Sequence, residues 1–259
     1  MEGYDAATYG ERWADVYDDW YGDDHALTAI VDFLAELARD ARDGGTIVEL
    51  GIGTGLIALP LAEQGFDVRG IDASPAMVAR LQTKPGGADV PITIGDMADV
   101  VVPRRDADGA GVGVEPCLGV FVAFNTFFGL ATDADQRRCL ERVHAVLAPG
   151  GWLVIAAFVP DRDRLQGTGS TVGLRSMTAD QVVLTADRFD DERQTISGQY
   201  IDISAAGISL RPFHLHYQHP EQLDALAAAA GLRLDRRFAG WDGSPFDDQA
   251  TMHVSVYRR

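Results

Sequence analysis

Residues 49–55 read Glu-Leu-Gly-Ile-Gly-Thr-Gly, and Asp72 stands twenty-one positions beyond Gly51. Glycines at Gly51, Gly53 and Gly55 let a backbone approach a ligand closely, and a helix starting just after them presents its N-terminus to a polar or anionic group. A carboxylate at Asp72, ending the following strand, can accept both hydroxyls of an adenosine ribose. A dinucleotide site usually repeats Gly-x-Gly-x-x-Gly, whose third glycine would fall on Leu56, so the spacing argues against a nicotinamide cofactor. A second chemical candidate is the pair His214 and His216, which share one face if the segment is a strand. Either would be a general base for a phenol or alcohol, and the alternative is two partly exposed histidines on a sheet. His219 is close by, but no third ligand stands at a recognisable metal spacing, and no metal is expected. The third candidate is the aromatic and acidic stretch 9–21, where Tyr9, Trp13, Tyr17 and Tyr21 or Trp20 would line one face of a helix.

These residues need elements to hold them. From Asp24, Leu27, Ile30, Val31, Leu34 and Leu37 recur at helical steps behind an Asp cap. Strand, glycine turn and helix follow over residues 46–64, a second such unit over 66–81, and a third strand over 90–94. Residues 98–116, with Pro103, Gly109, Gly111, Gly113 and Pro116, read as a long loop or a weak helix with turns. Leu118–Phe124 is a fourth strand, 133–147 a helix capped by Asp133, and Trp152–Phe158 a fifth strand after the Pro149-Gly150-Gly151 turn. Beyond Pro160 the rhythm changes to strands at 182–184, 195–203 and 208–217 with no helix between them. Residues 220–230 return to helix, and 232–238 and 251–257 to strand, with Trp241 in the loop between. Alternating strands and helices imply a doubly wound α/β fold with a mostly parallel sheet, here seven-stranded, and an inserted antiparallel β lobe. The expected division is 1–43 lid and first helix, 44–159 cofactor core, 160–217 inserted lobe and 218–259 completion of the core sheet.

Together, Glu49, the glycines and Asp72 resemble the class I S-adenosylmethionine-dependent methyltransferases, with their Rossmann-like fold. Gly95-Asp96-Met97 resembles that family's adenine-contacting motif, and Leu147–Gly151 its turn before the fifth strand. The resemblance covers about residues 44–158 and resumes from Pro220. It implies that Glu49 and Gly51 face the methionine end of S-adenosylmethionine, Asp72 the ribose, Ala73 the adenine face, and Asp96 with Met97 the adenine amine and ring edge. Asp96 has the alternative of capping a helix. The family often has an acidic residue in its fourth-strand motif, which Cys117-Leu118-Gly119-Val120 lacks, leaving Phe124 and Asn125 as pocket contacts. The 9–21 stretch resembles the lid helix of small-molecule members, with Tyr17 as its cofactor or substrate contact and Tyr21 beside the acceptor. The loop carrying Trp241 resembles one that borders the acceptor pocket. The lid, the antiparallel insertion and residues 217–223 together resemble bacterial amino-sugar N-methyltransferases and natural-product methyltransferases. N-methylation of a small-molecule amine is therefore expected, with O-methylation through His216 or His214 as the alternative, and a cofactor-binding regulator without catalysis as the alternative of another class.

Composition narrows the partners. The 259 residues carry 22 Lys+Arg against 39 Asp+Glu, a formal charge of -17, and Lys84 is the single lysine, so neither nucleic acid nor an anionic membrane is an expected partner. The N-terminus lacks the basic and apolar regions of an export signal, and Cys117 and Cys139 read as buried reduced thiols, so a cytoplasmic location is expected. A homodimer is the one protein partner considered.

Overall fold

Along Ile47–Leu50 (β1) alternate side chains enter two separate buried layers, because successive residues of a strand point to opposite faces. Val48 and Leu50 join Val120, Val122 and Leu153 under the helix side chains of Leu140, Val143 and Leu223. Ile47 joins Phe121, Trp152 and Val154 under Ile30, Leu34, Leu61 and Leu81. A sheet with both faces covered in this way is the doubly wound arrangement expected from the sequence.

The structure is a computed structural model and describes residues 1–22, 24–40, 45–100, 102, 116–162 and 165–259. In chain order, helices α1 (Thr8–Trp13), α2 (Tyr17–Tyr21) and α3 (Asp24–Arg39) precede β1. Then follow α4 (Ala58–Glu63), β2 (Val68–Asp72), α5 (Pro75–Gln82), β3 (Ile92–Ile94), β4 (Cys117–Val122), α6 (Asp133–Val146) and β5 (Leu147–Phe158). Four strands succeed one another as β6 (Thr168–Met177), β7 (Gln181–Asp190), β8 (Thr195–Ser204) and β9 (Gly207–His216). The chain ends with α7 (Pro220–Ala229), β10 (Arg233–Phe238) and β11 (Met252–Arg258). The large sheet has the order β10-β11-β5-β4-β1-β2-β3, with β11 antiparallel to both neighbours and the other pairs parallel. The second sheet, β6-β7-β8-β9, is antiparallel throughout.

Several local expectations change. The lobe has four strands rather than three: Thr168–Met177 is a strand although its Gly, Ser and Thr content gives little hydrophobic pattern. The cap of α6 is Thr132, whose hydroxyl accepts from the Asp135 N–H, and Asp133 is the first helical residue. The turn at Pro149-Gly150-Gly151 lies inside β5 as an irregularity, with Gly150 at φ 77, and pairing with β4 resumes at Gly119 opposite Trp152. The aromatic stretch is two short helices, broken at Val16 with φ -123 and ψ -2. Cys117 and Cys139 are buried and free. The cap expected from the Asp24 side chain and most of the 98–116 segment lie outside the described residues; the described part holds one 3-10 turn, Met97–Asp99.

Candidate active site

The ligand-facing edge of an open α/β sheet lies at the carboxyl ends of its parallel strands, and β1 and β2 bring the acidic and glycine residues there together. Gly51, Gly53 and Gly55 all adopt left-handed φ, 71, 54 and 79, which a side chain resists. Their surroundings differ. A Cβ on Gly51 would meet Thr126 Cγ2 at 2.5 Å and one on Gly55 would meet Leu81 Cδ1 at 2.9 Å, whereas one on Gly53 would find only the Gly51 carbonyl at 3.9 Å. Gly55 therefore serves packing, and Gly53 borders open space. Asp72 Oδ2 accepts from Gly53 N at 2.7 Å and Oδ1 from Ser74 N at 2.8 Å, so its carboxylate stitches the glycine turn to the end of β2. Each oxygen keeps a lone pair for a ribose hydroxyl. Burial raises the pKa of Asp72, and the two N–H donors oppose that.

Glu49 is 5% exposed and its Oε2 accepts no hydrogen bond, while the Ala58 N–H bonds the carboxyl. Burial, reinforced by the charge of Asp72, holds its pKa well above the usual carboxylate range. An orphaned buried carboxylate oxygen beside open glycine backbone suits a ligand with an ammonium and a sulfonium, so these residues fit S-adenosylmethionine. At the same edge, Ile94 (paired with Asp72) and Phe124 leave apolar side chains exposed, 55% and 37%, suited to an adenine or an acceptor. Ala73 is half-buried between Asp72 and Ser74. Phe124 and Asn125 both have left-handed φ, 55 and 66, a pair of strained non-glycine residues.

The lid reaches this cluster. Tyr17 has its phenol pKa pushed well up by burial, then by the charges of Tyr21, Glu49, Asp72 and Asp18. Tyr17 packs on Tyr21 (4.8 Å between ring centroids) and Tyr9 (6.4 Å), and Tyr9 stacks on Trp13 at 5.2 Å. Tyr200 of β8 closes the group, edge-on to Trp13 at 5.1 Å and Trp20 at 5.6 Å, and Arg175 lies over both Trp20 and Tyr200. The lid is tied to the cofactor edge by its own acids. Glu11 accepts from Ser74 Oγ at 2.7 Å and Ala76 N at 3.0 Å; Asp18 accepts from Thr54 Oγ1 and pairs with Lys84 Nζ at 2.8 Å. Gly10 makes that docking possible, since a Cβ there would stand 2.3 Å from Ser74 Cβ.

Other expected site residues have other partners. His214 and His216 do share a face of β9, yet Nδ1 of His214 is bonded to Ser197 Oγ at 2.7 Å and its ring packs on Tyr4, while Nε2 of His216 is bonded to Asp133 Oδ1 at 2.8 Å. Neither bonds to a member of the Glu49–Asp72–Tyr17 cluster. Asp96 takes the capping alternative, accepting from Ala98 N at 2.8 Å, and Met97 packs against the core. Asn125 spends its Oδ1 on the Phe158 N–H at 2.7 Å, which locks the end of β4 to β5. The Trp241 ring packs on Phe33 of α3 at 5.5 Å and against the core layer beneath that helix, rather than on the lid aromatics. Tyr200 and Arg175 escaped the sequence reading: they lie far from the lid in sequence, and a tyrosine or arginine on a strand carries no mark of what it will face.

Residues 47–151 match the family model described as a methyltransferase domain. Among curated proteins, a glycine/sarcosine N-methyltransferase of Parasynechococcus marenigrum is 31% identical over 63% of this chain, which spans only about half (53%) of that relative. A cypemycin N-terminal methyltransferase of a Streptomyces species is 26% identical over 84% of both chains. Among solved structures, the CcbJ methyltransferase of Streptomyces caelestis is 35% identical with a TM-score of 0.86, covering 98% of this chain and 99% of that one. Such agreement over the whole chain places it in the S-adenosylmethionine-dependent methyltransferase family.

Proposed function

We propose that the chain transfers a methyl group to the amine of a small molecule, held under the lid against Tyr17, Tyr21 and Tyr200. S-adenosylmethionine supplies a methyl on a positively charged sulfur, open to in-line displacement. The protein then has to align the acceptor, exclude water and receive any proton. An amine brings its own lone pair and needs only to be held neutral and aimed, whereas an alcohol needs a base. The observation that carries the reading is the makeup of the lid cluster: phenols to which neither His214 nor His216 is bonded, with Tyr17 held protonated by burial and neighbouring acids. Rings and carboxylates of this kind stabilise the positive charge that develops on a neutral amine as it takes the methyl group. The names of two relatives, a glycine/sarcosine N-methyltransferase and a cypemycin N-terminal methyltransferase, point to nitrogen acceptors and support the same reading. In this reading Glu49 and Asp72 hold the cofactor's ammonium and ribose, Phe124 walls the pocket, and the lid excludes water.

The second reading, O-methylation, draws on one observation: His216 is oriented by Asp133 and its buried Nδ1 has no partner. The pH profile of turnover for His214→Ala and His216→Ala, followed by S-adenosylhomocysteine release over a panel of amine and phenol acceptors, separates the two. Losses under ~3-fold at every pH support the amine; a loss of about 10²–10⁴-fold for His216→Ala with cofactor binding intact supports the oxygen acceptor.

A further inference from the structure

Charge is unevenly divided around the lid. Carboxylates occupy the cofactor edge, where Glu49 and Asp72 act on the Tyr17 phenol and Glu11 and Asp18 fasten the lid. On the lobe side, a cation lies against the lid aromatics. Arg175 belongs to β6, an edge strand of the antiparallel sheet, and sits at a bulge: Leu174 pairs with Leu184 and Ser176 with Val183, so Arg175 and Ser176 together oppose one residue. A bulge of this kind bends a strand and re-aims a side chain, a device found beside active sites. Here the guanidinium carbon of Arg175 stands 5.0 Å from the Trp20 ring centroid and 5.1 Å from that of Tyr200, and the side chain donates to the Tyr200 phenol oxygen. Tyr200 and Trp20 both meet Trp13, on which Tyr9 and Tyr21 pack, so Arg175 is joined to the lid cluster through two rings. Asp187, on the adjacent row of the same sheet face, acts on the Tyr200 phenol with the opposite sign. Among the described residues no carboxylate pairs with Arg175, in a chain that holds 39 Asp+Glu and a formal charge of -17.

We propose that Arg175 binds an anionic group of the acceptor, a carboxylate or a phosphate monoester, so that the substrate class is a small amine carrying an acidic arm. This deepens the amine reading and rests on the acceptor lying between lid and lobe. Three observations carry it. An arginine over aromatic rings keeps N–H donors in a planar fork that matches two oxygens of a carboxylate or phosphate. Because Arg175 has no carboxylate partner among the described residues, a ligand anion reaches it without displacing an ion pair. Finally, a chain of charge -17 repels small anions over most of its surface, so an acidic acceptor needs a local cation at the site, and the bulge in β6 supplies one. The same contact orients the ligand. With the acidic arm on Arg175, the amine is directed along the rings toward Tyr21 and Tyr17, the side on which carboxylates favour positive charge on nitrogen.

The test is calorimetric binding of matched probes to the full chain saturated with S-adenosylhomocysteine. One arm compares dipeptides ending in a carboxylate with the same dipeptides ending in a primary amide, and the other compares phosphoethanolamine with ethanolamine. In at least one arm the parent is expected to bind the charged member about 10-fold or more tightly than its neutral partner, the lower end of what a hydrogen bond to a charged group contributes. That preference should shrink as salt is raised. Arg175→Met keeps an unbranched stem against Trp20 and Tyr200 and is expected to remove the preference, and Arg175→Lys to restore part of it, as a point charge without the fork. A parent that binds neither charged probe, a parent without preference in either arm, or a preference that survives Arg175→Met overturns the proposal. So does an equal weakening of both members of a pair by Arg175→Met, the result expected if Arg175 only clamps the lid to β6. Turnover of 4-hydroxyphenylacetate and its amide, followed by S-adenosylhomocysteine release, separates this proposal from the amine reading. Methylation of that phenol pair with the charge preference intact overturns the amine reading alone, whereas amine turnover without the preference overturns the role of Arg175 alone.

Discussion

Replacing Glu49 by Gln tests the cofactor edge through its protons. In the protein without ligand, burial and the charge of Asp72 oppose ionisation of Glu49, and only the Ala58 N–H favours it. Every unit by which the pKa is raised represents about 1.4 kcal/mol that ionisation costs. A ligand ammonium laid against the orphaned Oε2 stabilises the carboxylate, so the pKa of Glu49 in the complex is lower than in the free protein. Binding therefore releases a proton. Affinity rises with pH from the pKa in the complex up to that of the free protein, by at most about tenfold per unit, and is flat outside that window. The assay is titration calorimetry with S-adenosylhomocysteine in two buffers of different ionisation enthalpy, kept below about pH 7 so that the ligand's own amino group stays protonated. The parent should release up to one proton per ligand. Glu49→Gln should release none from this site, lose the pH dependence, and bind about 1.5–3 kcal/mol more weakly, the worth of a hydrogen bond to a charged group. Without ligand the sign reverses. A carboxyl with a raised folded-state pKa lowers stability as pH rises from its unfolded to its folded pKa, so Glu49→Gln should be no less stable than the parent near neutral pH. Affinity flat with pH in the parent, and unchanged in Glu49→Gln, would refute the assignment of Glu49 to the ammonium.

Two further substitutions separate packing from binding. Gly53→Ala places its Cβ in open space, so it should fold with a strain of about 1–2 kcal/mol yet lose cofactor affinity, whereas Gly55→Ala drives into Leu81 and Leu59 and should lose stability by about 1–3 kcal/mol. Thermal unfolding and calorimetry on both would show the reverse order if the glycine roles are misassigned. Gly10→Val cannot close against Ser74, so the Glu11 and Asp18 attachments of the lid should be lost. Turnover should then fall at least ~10-fold as alignment and water exclusion are lost, with a clear change in Trp13 and Trp20 fluorescence. Unchanged turnover would remove the lid from the reaction.

How much of this was legible in the sequence depends on range. Glu49, the three glycines and Asp72 lie within one strand-turn-helix-strand unit, whose geometry is set by local backbone demands and strand alternation; left-handed φ at Gly51, Gly53 and Gly55 leaves little choice of residue type. The fold class was legible for the same reason, since buried parallel strands write continuous apolar runs. Strand β6 was not, because its apolar side chains Val172 and Leu174 sit among Gly, Ser and Thr on a face that no core covers. The histidines show the limit of periodicity: it placed His214 and His216 on one face, but only the packing of β9 against Ser197 and Asp133 decided what they would bond. Asn125 and Asp96, chosen by motif position, were taken by Phe158 and Ala98 backbone groups, since a polar side chain beside an unpaired N–H satisfies it first. The lid was visible as an aromatic stripe, but its seat was not. Tyr200 and Arg211 come to it from about two hundred positions away (Trp13 Nε1 reaches the Pro212 carbonyl across 199), and contacts of that span exist only once both sheets are built.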